Sequence, residues 1–283
     1  MENNPKNEII INDAKEKIYY NSYEVIKIID KTDKGEILLV TNNKTDYLLY
    51  KIEINSKKDK ELICEEITKL NLIYSKYVIK IKDYFEKNIK QKDYYFIVID
   101  YYKKGNLNKL LNQSHLLTSR MIWRIIIQLI LGIDSFHKND IIIKKLYPDN
   151  IYFDDNMNIK IIGYGMYLDF SKKHSSNSTD FFSPEVLNGQ DFSKKSDIWS
   201  LGCILYEMYF KEKPLKIKNN NFDFNYKIKD NYDPDIKYIL TKLLCEENKR
   251  FIISDIINDK IFKKKVLEVG LFNEIVDNNE KSN

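Results

Sequence analysis

The sequence predicts an α+β fold in two unequal lobes: a small β-rich N-terminal lobe carrying one helix, and a larger, mainly α-helical C-terminal lobe. Three observations predict it. Apolar runs of strand length, separated by polar turns, fill residues 23–54 and resume between 77 and 99. The segment between them, residues 59–75, spaces its apolar side chains as a helix does. Beyond Gly105 the two strongest apolar stretches, residues 120–137 and 197–210, are too long for ordinary strands and read as buried helices.

The elements follow in order. YEVIKIID, EILLV and DYLLYKIEI supply three strands, each bounded by polar residues. In DKELICEEITKLNLIYS, residues Leu62, Ile63, Glu66, Ile67, Leu70 and Ile73 share helical spacing. YVIKIKDYF and YYFIVID add two strands, and a junction falls near residues 100–105. RMIWRIIIQLILGIDSFH is a helix apolar on most faces; DIII, NIYFD and NIKII read as short strands; DIWSLGCILYEMYF is a second buried helix. The organisation is therefore an N-terminal extension (1–20), an N-lobe (21–101), a C-lobe (102–265) and a tail (266–283). Within the tail Leu267–Val276 reads as a short amphipathic helix.

Composition narrows the function classes. The chain has 283 residues, with 43% hydrophobic and 31% charged, as in an ordinary globular protein. A net charge of +4 does not call for nucleic acid or a membrane surface. Only Arg120, Arg124 and Arg250 are arginines among 46 basic residues, and the lysine excess reads as solvated surface. Cys64, Cys203 and Cys245 are far apart, so neither a zinc site nor a disulfide framework is expected. The polar start MENNPKNE carries no signal-peptide or myristoylation pattern. The longest apolar run, Ile125–Ile133, is too short to span a bilayer. A cytoplasmic protein is expected.

Specific motifs then accumulate. SPE (Ser183, Pro184, Glu185), DIWSLG beginning at Asp197, Arg250 and LYPDN ending at Asn150 stand in an order and spacing that resembles the eukaryotic protein kinase family over roughly residues 23–265. The resemblance implies a bilobal kinase fold, of serine/threonine rather than tyrosine type. It makes Lys51, in LLYK, the counterpart of the Lys in V-A-I-K on the third strand, and Glu66 the helix residue that pairs with it. It gives Glu185, Asp197 and Arg250 structural roles in the C-lobe, with Glu185 and Arg250 as an ion pair.

Against that pattern, the phosphoryl-transfer apparatus is depleted. The family needs a phosphate-covering loop, the Lys–Glu pair, a catalytic Asp, and a metal-binding Asp with an Asn. The catalytic loop reads IKKLYPDN, so Lys145 stands where a carboxylate should accept the substrate hydroxyl proton. An ammonium with a pKa near ~10.4 is protonated at neutral pH and accepts nothing. Tyr147 replaces the Lys that contacts the γ-phosphate, and Lys144 the Arg that receives an activation-segment phosphate. The magnesium loop reads GYG, leaving Gly163 without the ligand's side chain, and Asn150 alone is a poor magnesium site. Of the glycine-rich loop only Gly35 survives, with Asp30 and Thr32 at the other positions. Leu49, for the small Ala of V-A-I-K, and Tyr152, for the aliphatic floor, are expected to fill the adenine slot. A connecting apolar stack maps onto Leu70, Ile81, Ile143 and Tyr164, and the segment 165–183 is polar with several Ser and Thr.

The sequence therefore implies a pseudokinase, a kinase-shaped scaffold or allosteric partner bound to an active kinase or to complex subunits. No cofactor or metal is required, and weak metal-independent ATP binding through Lys51 and Lys145 is allowed. The competing implications are an active or atypical serine/threonine kinase, and a nucleotide sensor without turnover.

Overall fold

A computed structural model describes residues 17–31, 35–113, 117–162, 178–212 and 233–273. Six strands make one antiparallel sheet: β1 (Tyr19–Tyr20), β2 (Tyr23–Lys31), β3 (Gly35–Asn42), β4 (Thr45–Ile54), β5 (Ile81–Ile89) and β6 (Lys92–Asp100). Their spatial order is β1-β2-β3-β4-β6-β5. Two tight hairpins set the register. Asn43 and Lys44 (φ 49° and 66°) join β3 to β4, and Lys90 and Gln91 (φ 50° and 65°) join β5 to β6. Left-handed conformation at both central residues matches the right-handed twist of the flanking strands.

The sheet is apolar on both faces. On its inner face Ile37, Leu48, Tyr50, Ile52, Ile97 and Ile99 join the main core. On its outer face Leu38, Val40, Leu49, Phe96 and Val98 form a second, smaller core with Tyr23, packed against by Tyr20 and Phe85. Because β1 supplies Tyr20 to this cluster, the last residues of the expected N-terminal extension belong to the sheet. Helix α1 (Lys57–Asn71) starts at Ser56, whose Oγ accepts from the Asp59 amide at 3.1 Å, and it buries Ile63, Ile67 and Leu70.

The C-lobe is built on α3 (Ser119–Lys138) and α5 (Lys194–Phe210), both buried on most faces. Around them lie α2 (Leu107–Gln113), α4 (Pro184–Leu187), α6 (Pro234–Leu243), α7 (Ile253–Asn258) and α8 (Lys260–Val269), with a two-stranded ribbon of β7 (Ile151–Phe153) and β8 (Ile159–Ile161). Residues 140–143, expected as a strand, form none. The Ile143 and Lys144 amides are taken by the Asp197 carboxylate at 2.9 and 3.0 Å rather than by a neighbouring strand. Of the expected tail helix, Leu267–Val269 form the end of α8 (Lys260–Val269), which Gly270 caps at φ 77°, while residues 274–276 lie outside the described residues. The lobes are stitched where the Ile161 amide donates to the Tyr77 carbonyl (2.8 Å) and the Ile79 amide to the Ile161 carbonyl (3.1 Å). Among the described residues no helix is long and apolar enough to cross a membrane.

Candidate functional site

The cleft between the lobes is decided by the phase of β4. Side chains alternate along a strand, and Leu48 and Tyr50 belong to the inner core while Leu49 belongs to the outer one. Lys51 follows Leu49 to the outer face. It lies opposite Glu36 of β3 and Phe96 of β6. Its Nζ is 3.2 Å from Glu36 Oε2 and 4.5 Å from the ring centre of Tyr94. Burial works against this charge, but Tyr20, Glu36 and Tyr94 outweigh it and the Lys51 pKa is raised.

Two expectations are thereby corrected. Lys51 pairs with Glu36, not with Glu66, because it leaves β4 on the face away from α1. Glu66 does lie on α1, half-buried between Ile63 and Ile67. Leu49 is fully buried in the outer core and has no part in the slot; Leu48 takes that place. With Leu48 as the roof, the inward residue two positions on is Tyr50, itself 1% exposed. Sequence reasoning missed both Leu48 and Tyr50. The signal that would have found them is the cross-strand pair of opposite charge, Glu36 facing Lys51, which places both on one face of the sheet.

Among the described residues a cavity of about 170 Å³ lies in the cleft, lined by Ile29, Asp30, Ile37, Leu48, Tyr102 and Tyr152 among others. Tyr152 of β7 lines this space, with its backbone bridged to Asn106 and its ring 6.1 Å from that of Tyr102. Burial, then the Asp149 carboxylate, pushes the Tyr152 phenol up to about 12. Gly35 has a structural reason to be glycine: a Cβ there would stand 1.8 Å from the Lys51 carbonyl oxygen, where β3 meets β4. Thr32, Gly163 and Tyr164 lie outside the described residues, as does most of the segment 165–183.

The catalytic-loop region is held from below. Asp197, 1% exposed, accepts from the Ile143 and Lys144 amides and is 2.9 Å from His137 Nε2. Lys144 is left-handed at φ 68°, a conformation uncommon for a side-chain-bearing residue, and the hydrogen bond from its backbone N–H to the Asp197 carboxylate holds it. Ile143 is fully buried. Asn150 is buried and donates from Nδ2 to the Lys145 carbonyl at 3.1 Å, so its amide braces the loop. Tyr147 is 3% exposed, its ring 6.3 Å from Phe181, and is part of the core. Asp149 is a hydrogen-bond hub for α2, accepting from Asn108 Nδ2 at 2.9 Å.

Deeper in the C-lobe Arg250 grips Glu185 with two bonds, Nη1 to Oε1 at 2.6 Å and Nη2 to Oε2 at 3.2 Å. The same guanidinium donates to the Lys195 and Cys245 carbonyls and lies 4.9 Å from the Trp199 ring centre. Burial pushes the Glu185 carboxyl upward, yet the Arg250 hydrogen bonds prevail and its pKa is lowered.

Comparison with known proteins agrees with this geometry. Residues 23–262 match the protein kinase domain family. Calcium-dependent protein kinase 4 of Plasmodium falciparum is 32% identical over 204 residues, which are 67% of this chain and 37% of that protein. Serine/threonine-protein kinase shk2 of Schizosaccharomyces pombe is 28% identical over 223 residues, 77% of this chain and 37% of that protein. The probable serine/threonine-protein kinase nek2 of Dictyostelium discoideum is 24% identical over 215 residues, 70% and 51% of the two chains. The matched part spans between a third and about half of the length of these relatives.

Proposed function

We propose, from the premise that this chain belongs to the protein kinase family, that it works by binding a protein partner and not by transferring phosphate. The observation that carries the reading is Tyr50. In the family a cation two residues beyond the roof of the slot orients the α/β-phosphates. Here that inward position holds a buried phenol, and the neighbouring lysine is tied to Glu36 on the other face of the sheet.

A magnesium-bound triphosphate fits these residues poorly. Lys145 stands where a carboxylate would accept the substrate proton, Asn150 donates to backbone, and Asp30 lines the cavity with negative charge. What the chain retains is architecture: the Asp197 clamp and the Glu185–Arg250 pair keep a kinase-shaped surface in place. On this reading the chain is a cytoplasmic scaffold or allosteric partner of an active kinase or of complex subunits.

The retained Asn150 and Asp197, together with relatives named as serine/threonine kinases, favour a second reading, a working kinase of unusual chemistry. Incubation with radiolabelled ATP and magnesium separates the two. The expected result is no transfer to itself or to generic substrates, and no calorimetric ATP binding tighter than about 1 mM, the range of weak contacts. Transfer that disappears in Leu48→Trp, which closes the cleft from within this chain, would overturn the binding reading.

A further inference from the structure

Residues 72–80 leave α1 and enter β5, and on the way Tyr77 and Ile79 exchange backbone bonds with Ile161 of β8. This is a seam between the lobes. Its outward apolar side chains are Leu72, 64% exposed, and Tyr74, 67% exposed. Single exposed apolar residues are ordinary; their setting here is not. Lys80 holds its Nζ 5.0 Å from the centre of the Tyr74 ring. Lys160 reaches across from β8 and donates to the Lys76 carbonyl, and the Lys76 ammonium lies 5.2 Å from the Tyr77 ring centre. Burial holds the Lys160 ammonium below its ordinary pKa, with Asp154 and Asp100 pulling it up and Lys80 and Lys76 pushing it down.

Both of those carboxylates are engaged. Asp100 is 3.2 Å from Lys82. Asp154 accepts from the Asn156 and Asn158 amides at 3.0 and 2.9 Å. The seam thus combines an exposed aromatic and an exposed aliphatic side chain with three neighbouring lysines drawn from both lobes, whose charges act on one another. We infer that it is a docking surface for an acidic, extended segment of a protein partner, whose carboxylates meet Lys76, Lys80 and Lys160 while an apolar side chain rests on Leu72 and Tyr74. Charge complementarity selects this occupant. A basic or purely apolar segment would leave the lysines facing like charge or stripped of water. A partner held this way touches the N-lobe through residues 72–80 and the C-lobe through Lys160, and so fixes the angle between them. The inference stands on this surface alone and does not depend on whether the cleft transfers phosphate.

The test uses the full chain and a fluorescein-labelled decapeptide of Glu and Asp with one central Leu and one Phe, followed by anisotropy. Exposed ion pairs contribute little singly, so the expected affinity is micromolar, and it weakens as salt shortens the screening length. Lys76→Glu with Lys80→Glu, both on exposed side chains, is expected to weaken binding by at least about tenfold, a difference of one decade in Kd. The corresponding Arg pair keeps it within about twofold, because the charge is retained. Lys160→Gln tests the C-lobe contribution, and circular dichroism confirms that each variant is folded. Absence of saturable binding, equal binding by the charge-reversed pair, or preference for phosphatidylserine vesicles over the peptide would each overturn the inference.

Discussion

At Arg250 the cost of removing one side chain follows from what it holds. Its guanidinium is fully buried, doubly bonded to Glu185, bonded to two carbonyls and packed on Trp199. Breaking such a pair leaves a partly buried carboxylate without its cation and a buried site without its guanidinium, so Arg250→Ala is expected to lower unfolding free energy by about 3 kcal/mol in urea titrations. The pH dependence has a definite sign. The Glu185 pKa is lowered by folding. Its contribution is therefore fully present above the unfolded value of about 4.3 and is lost as pH falls through the folded value. In Glu185→Gln that acid-side loss should be absent from the stability profile.

Strand β4 shows how much of the site could be read from the chain, and where reading failed. Strand and helix types were legible because the strands are short apolar runs bounded by polar turns and α1 repeats its apolar side chains with helical spacing on one buried face. The C-lobe positions Glu185, Asp197 and Arg250 were legible because motif spacing fixes them independently of side-chain direction. β4 offers no such phase. Leu48, Leu49 and Tyr50 are all buried, since the sheet carries a core on each face, and an unbroken apolar run does not say which residue looks inward. A one-residue slip moves every side chain to the other face, and that slip separates the expected Leu49 and Lys51 from the observed Leu48 and Tyr50. Stability measurements test the phase directly. Tyr50→Ala should cost about 3–5 kcal/mol as a large core truncation, whereas Lys51→Ala, which loses a partly buried ion pair and its contact with Tyr94, should cost less, about 1–2 kcal/mol. Similar losses for the two variants would contradict the assigned faces.

For the molecule as a whole, side chains from both lobes meet across the described part of the cleft. Leu48 comes from the sheet above and Tyr152 from the ribbon below, and both line the same small cavity. Leu48→Ala combined with Tyr152→Leu should reopen it. The double variant is expected to lose stability through the new void and to regain part of it on addition of adenine, read as a rise in Tm with ligand concentration. An unchanged Tm in saturating adenine would show that other residues block the cleft. The unaltered cavity carries a practical consequence. Purine-mimicking heteroaromatic compounds need a roof and floor set apart, and on the proposed reading the recess of about 170 Å³ lined by Leu48 and Tyr152 is too small to take them. Affinity matrices built from such compounds should let this chain flow through. A selective reagent for it would have to be raised against its outer contours.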